Sequence, residues 1–153
     1  ITIKEIPSYC VLSLRKEIPD YYYEGELWKE LSAFARENKI DISDETFSIY
    51  HNEEYKEQDV DVELCAIVNE IGKDTGDFKF RFTEPVSMMA CTMVYGDFSN
   101  ISYAYRSFAK WLQENSQYKM KGSSRQIVHR GPWNEKNPEN YLTEIQIPLE
   151  NLL

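Results

Sequence analysis

The sequence predicts an α+β fold built from a duplicated βαββ unit, with antiparallel sheet strands and two helices framing a central cleft on a pseudo-two-fold axis. Three observations lead there. Residues 60–68 and 141–149 both alternate apolar and polar side chains as half-buried strands do, and each carries a glutamate at its middle, Glu63 and Glu144. Two stretches of helical period, one in each half, precede them. Landmarks also recur at a near-constant spacing: Pro7 lies 78 residues before Pro85, Leu31 lies 77 before Phe108, and Glu63 lies 81 before Glu144. Recurrence at a fixed offset is the mark of a repeated unit, and a repeated unit of this size places a cleft along its symmetry axis.

Taken in order, residues 1–6 alternate as a strand, Pro7 interrupts where no ladder N–H is required, and residues 9–15 resume the extended pattern. Pro19 and Asp20 mark a turn. Residues 22–38 switch to helical period, with Leu27, Leu31 and Phe34 spaced by four and three and with Trp28 and Ala35 beside them. Residues 39–46 read as a polar connector, 47–51 as a short strand, 52–59 as a charged hairpin loop, and 60–68 as the glutamate-bearing strand. Two glycines and two aspartates in 72–77 form the link between halves. The plan then repeats. Phe78, Phe80 and Phe82 alternate, Pro85 interrupts, and residues 88–95 continue extended. Ser99 is the expected N-cap of a second helix with the apolar face Ile101, Ala104, Tyr105, Phe108, Trp111 and Leu112, ending near Gly122. A strand at 125–129, a loop at 131–140 and the last strand complete the chain. Residues 1–153 thus form one domain, with halves at about 1–71 and 78–153, in which Trp28 falls opposite Tyr105 and Phe34 opposite Trp111.

Composition narrows the function. The 153 residues carry a formal charge of −9, and the imbalance lies in the first half: through Asp77 there are 8 Lys+Arg against 19 Asp+Glu, and beyond it 9 against 7. Nucleic-acid affinity rests on clustered Lys and Arg, so the chain is not expected to grip a phosphate backbone unaided. An acidic field draws cations instead. Aromatic residues make up 14% of the chain, more than a small core needs, so some are expected to line a cavity. Cys10, Cys65 and Cys91 have no CxxC spacing and lie in apolar runs, which argues against a disulfide framework or a zinc site. His51 and His129 lack partners at metal or triad spacing. No metal or cofactor is expected, no apolar run is long enough to span a membrane, and reduced thiols without a leader point to the cytoplasm.

A family resemblance adds to this reading. Ile3-Lys4-Glu5-Ile6-Pro7 with Arg15, Glu26-Leu27-Trp28 with Leu31 and Phe34, Asp61-Val62-Glu63, Trp111-Leu112, and above all Tyr141-Leu142-Thr143-Glu144-Ile145-Gln146-Ile147-Pro148-Leu149 resemble the GyrI-like effector-binding domain. That domain is the small-molecule sensor of multidrug-responsive MerR-type and AraC-type transcription regulators, and the opening of this chain is more similar to the MerR-type branch. The resemblance implies paired βαββ units that hold bulky, lipophilic, often cationic aromatics between ring faces, with a carboxylate answering the charge. Carried over by position, Trp28 matches an aromatic pocket residue and Tyr105 is its symmetry mate. Tyr141 matches an aromatic at the start of the last strand, Phe98 lies near another, and Glu144 matches the glutamate of the final motif. Tyr50 and Tyr95 are further candidates. Family members often carry a glutamate in the penultimate strand where this chain has Gln126, and an amide cannot counter a charge. Glu63 and Glu144 would then have to supply the anion.

Three functions compete on this basis. The first is the effector-binding half of a bacterial transcription regulator whose DNA-binding segment lies outside the chain, the full protein a homodimer and this piece a monomer. The second is a hydrolase of cyclopropane-bearing genotoxins, which needs a water-activating glutamate within reach of an aromatic hydroxyl. The third is a stand-alone, gyrase-inhibitor-like protein-binding module. The first is the reading adopted, with no catalytic residue assigned.

Overall fold

The structure is a computed structural model that describes residues 1–52 and 56–152. In chain order its elements are β1 (Thr2–Ile6), β2 (Cys10–Ile18), α1 (Glu24–Glu37), β3 (Ile42–Tyr50), β4 (Val60–Val68), β5 (Phe78–Phe82), β6 (Val86–Tyr95), α2 (Ile101–Glu114), β7 (Tyr118–Met120), β8 (Ser124–Arg130) and β9 (Leu142–Asn151). The chain divides into two compact units, one of residues 7–85 and one of residues 1–6 with 86–153. The fold is α+β, and the strand pairs described here are antiparallel.

In the unit of residues 7–85 the strand order is β3-β4-β2-β5; in the other it is β8-β9-β6-β1, with β7 pairing the end of β9. The two orders match strand for strand, with one twist in connectivity. β5, the opening strand of the second repeat, pairs with β2 of the first, and β1, the opening strand of the first repeat, pairs with β6 of the second. The changeovers fall at Pro7 and Pro85, each lacking the N–H that a continuing ladder would use.

Alternation along the strands gives each sheet one face for its helix. Leu27, Leu31, Phe34 and Ala35 of α1 bury against Leu12, Leu14, Val62, Leu64 and Ala66, and Phe34 stacks on Phe78 with ring centroids 4.1 Å apart. In the other unit Phe108 of α2 buries against Ala90, Val94, Ile145, Ile147 and Leu149, with Ile3 of β1 packed alongside. The helices also start and stop by the same devices. Asp20 and Asp97 accept the backbone N–H of Tyr22 and Ser99 at 3.0 and 2.8 Å, starting the 3-10 turn that leads into each helix. The Asn38 and Asn115 amides donate to the carbonyls of Phe34 and Trp111 at 2.9 and 2.8 Å, closing the last turn.

Three expectations change. Ser99 does not cap the second helix: its backbone N–H is the donor to Asp97, which caps the 3-10 turn before it, and α2 itself starts after Asn100 without a side-chain cap. That helix stops at Glu114 rather than near Gly122, because Asn115 turns the chain into β7. The supposed connector at 39–46 is largely strand: β3 begins at Ile42 opposite Val68 and runs through an irregularity before Thr46, so its polar side chains sit on an exposed stretch. The hairpin loop read at 52–59 falls partly outside the described residues.

Leu31 is fully buried on the strand-facing side of α1. Leu31→Ala is expected to destabilise the protein by about 3 kcal/mol, cavity included, as read from the urea midpoint at unchanged slope.

Candidate functional site

Glu63 and Glu144 occupy the same place in each unit, on the middle strands β4 and β9 and on the face away from the helix. A carboxylate there, 4% and 3% exposed, is expensive unless answered. Both are answered, by the same arrangement. Arg81 of β5 makes two bonds of 2.8 Å to Glu63 while His51 Nε2 lies 2.9 Å from it, and Ser13 of β2 adds a hydrogen bond. In the other unit Lys4 of β1 lies 3.1 Å from Glu144, His129 Nε2 lies 2.9 Å away, and Cys91 of β6, whose thiol donates to the Met89 carbonyl at 3.5 Å, is a neighbour of the same carboxylate. Gln146 donates to it at 2.7 Å. Arg81 and Lys4 are 77 apart, His51 and His129 78, Ser13 and Cys91 78. Each unit thus carries one charge ladder across four strands.

Electrostatics follow from these partners. Burial alone would raise the pKa of Glu63, but the His51 and Arg81 bonds and the Arg81 charge outweigh it and hold the carboxyl well below the usual range. For Glu144 burial is likewise overcome, by Gln146, His129 and Lys4. Burial pushes the Cys91 thiol up to about 12, so it stays protonated and donates to the Met89 carbonyl. Beside the first ladder Arg15 and Asp61 form a two-bond pair at 2.9 and 2.7 Å, which lowers the Asp61 carboxyl.

The aromatic candidates gather elsewhere, at the N-terminal end of each helix. In the unit of residues 7–85 the Tyr50 hydroxyl donates to Glu24 at 2.6 Å, the Trp28 indole one turn on donates to the same carboxylate, and the Tyr21 ring meets the Tyr50 ring edge-on at 5.6 Å. Glu24 is half-buried as a residue, but its carboxyl end is enclosed. Burial raises its pKa, only partly offset by the Tyr50 and Trp28 bonds. In the other unit Phe98 packs on Tyr141 at 5.1 Å, and Gln126 donates to the Tyr105 hydroxyl at 3.2 Å, with Ser124 3.4 Å from it. Burial raises the Tyr105 hydroxyl pKa as well, against the Ser124 and Gln126 bonds. Tyr95 lies at the end of β6 and is 67% exposed.

The sequence candidates therefore sort into two kinds. Trp28 and Tyr50 share one cluster; Tyr105 and Gln126 touch each other, and Phe98 touches Tyr141. Glu63 and Glu144 are instead paired with cations of their own units. Sequence reading missed the histidine partners, because the His and Glu of each ladder sit on neighbouring strands, 12 and 15 residues apart. It also missed Glu24, although Glu24 and Trp28 are spaced i, i+4 on one helix face, a legible signal. Among the described residues no group of three or more His, Cys, Asp or Glu is placed to hold a metal, and no helix is long and apolar enough to cross a membrane.

Comparison with known proteins places this geometry. The model of the GyrI-like small molecule binding domain matches residues 1–150. The C-terminal domain of EcmrR is similar over 98% of this chain and 96% of its own, at 28% identity and a TM-score of 0.90. EcmrR in its DNA complex matches with the same score and identity, and there the chain spans 57% of the EcmrR length. A hydrolase from Listeria innocua is similar at 12% identity and a TM-score of 0.69, over 97% of this chain and 91% of its own, which shows shared fold alone. No curated protein matches.

Glu63→Gln is expected to destabilise the protein by about 3 kcal/mol at neutral pH, the low end for breaking a buried pair because Arg81 is partly exposed. Since the folded pKa of both ladder glutamates is depressed, their stabilisation is present above the unfolded value near 4.5 and is lost as pH falls through the folded values. Urea melts from pH 6 down to 2 are expected to show that loss, with a shallower slope in the variant.

Proposed function

This chain belongs to the GyrI-like small molecule binding domain family, and we propose that it is the effector-binding part of a MerR-type transcription regulator that takes flat, lipophilic, cationic aromatics and releases them unchanged. The observation that carries the cationic preference is Glu24, an enclosed carboxylate bounded by Trp28, Tyr50 and Tyr21. Ring faces attract a delocalised cation, and a desolvated carboxylate attracts it more strongly than one in water. Glu63 and Glu144 are less suited to that role, because a ligand would have to displace Arg81 and His51 or Lys4 and His129 from them. The unit that holds Glu24 carries 9 Lys+Arg against 19 Asp+Glu, a net of −10, which favours cation approach.

Trp28 and Tyr50 are assigned to contact the cation; Tyr105, Tyr141 and Phe98 of the other unit are separate candidates for contact with apolar rings. The DNA-binding part of the intact regulator would be carried by a further segment, as a dimer. Effector binding would act by its unequal affinity for two states of that assembly.

The test is a fluorescence titration with 10-methylacridinium, a permanent flat cation, against neutral acridine of the same outline. Wild type is expected to prefer the cation and to bind it more tightly as pH rises through the raised Glu24 pKa, since the ionised carboxylate is the receptive form. Glu24→Gln should weaken the cation about tenfold and leave acridine unchanged. Mass spectrometry should return both ligands intact. Loss of selectivity in Glu144→Gln but not Glu24→Gln would contradict the assignment of the anion, and ligand hydrolysis would contradict binding without turnover.

A further inference from the structure

Thr143 is 1% exposed in β9, and its hydroxyl is a buried side-chain atom without a hydrogen-bond partner among the described residues. Its cross-strand neighbours are Val94 on β6 and Val128 on β8, so both flanks are apolar. The repeat shows that the fold does not need a hydroxyl here. The matching position on β4 is Val62, 81 residues earlier, fully buried and packed in the core under α1. Valine and threonine have the same shape, yet a buried hydroxyl left unmatched costs about 1–3 kcal/mol. The second repeat thus carries a polar group that destabilises its own core.

A row of rings leads toward the start of this strand. Trp133 is 65% exposed and Phe98 39%, and the two meet around Gly131, where an added Cβ would lie 3.3 Å from the Trp133 indole nitrogen and 3.7 Å from the Phe98 ring. Phe98 packs on Tyr141, which is 8% exposed and stands in extended backbone just before β9, two residues from Thr143. The row runs from solvent to Tyr141, next to the segment that carries the unmatched hydroxyl.

Building on the effector-binding reading above, we propose that Thr143 is a specificity-determining residue that donates its hydroxyl proton to a carbonyl or ether oxygen on an aromatic ligand inserted among Phe98, Tyr141 and Trp133. This is an uncharged recognition point, chemically distinct from Glu24, and it selects neutral ring ligands by their acceptor group.

The experiment pairs 10-methylacridone, which has a ring carbonyl, with 10-methyl-9,10-dihydroacridine, in which a methylene replaces it. Both are titrated into wild type, Thr143→Val and Thr143→Ser, and each variant is melted without ligand. Thr143→Val is expected to raise Tm by about 2–4 °C, to weaken methylacridone about tenfold, and to leave the dihydro compound unchanged, while Thr143→Ser retains methylacridone binding. A lower Tm in Thr143→Val would overturn the proposal, because the hydroxyl would then be satisfied within the fold. Equal effects on the two probes, or none, would overturn it while 10-methylacridinium binding by wild type leaves the effector-binding reading standing. A wild type that binds none of these rings would overturn both.

Discussion

A buried glutamate in the central strand of a sheet is the constraint around which each unit is arranged. The cost of desolvating it is met largely by groups brought from other strands, a histidine just beyond β3 or beyond the middle of β8 and a cation on the edge strand that comes from the other repeat, with Gln146 of β9 itself adding a bond to Glu144. The cation explains what the edge strands contribute. β1 and β5 are only five residues each, short for an independent strand pairing, and each adds a charged anchor to its ladder. Removing Arg81 or Lys4 would take away the edge strand's charged anchor and leave the carboxylate to its histidine and remaining donors.

The ladders pair Glu63 and Glu144 with cations of their own units, and the repeats differ where the helices begin. At matching positions one unit has Glu24, Trp28, Tyr50 and Val62, and the other has Ile101, Tyr105, Val128 and Thr143. The ladders are preserved between repeats in geometry and nearly in residue type, so they read as structure. The helix starts have diverged into one acidic and one neutral, hydrogen-bonding surround. Binding sites tend to combine apolar walls with a few placed polar groups, and each cluster has both.

Much of this was legible in the chain. The 77–81-residue offsets gave the repeat, and alternation gave β4 with its observed limits, since a half-buried strand imposes a strict period. Leu27, Leu31 and Phe34 gave the buried face of α1. The exchange of first strands was not legible, because strand pairing over 80 residues leaves no local trace beyond the two prolines. Helix limits were misjudged where a side chain closes the end, as Asn115 does, rather than a glycine. Trp28 and Tyr50 stood out by residue type, whereas the carboxylate they surround did not. Glu63 and Glu144 looked exceptional because they interrupt apolar strands, whereas Glu24 looked like an ordinary solvated residue in a first helical turn. Only the fold shows that the former are paired and that the latter is enclosed by Trp28 and Tyr50.

The division of labour among these three glutamates is the central claim, and carboxyl carbon-13 NMR of glutamate-labelled protein, titrated with and without 10-methylacridinium, tests it most directly. The account predicts that Glu24 titrates above the usual carboxylate range and shifts downward when the cation is added, while Glu63 and Glu144 stay ionised below that range and do not respond. A Glu24 that titrates normally and ignores the cation, or a ladder glutamate that moves with it, would contradict the account.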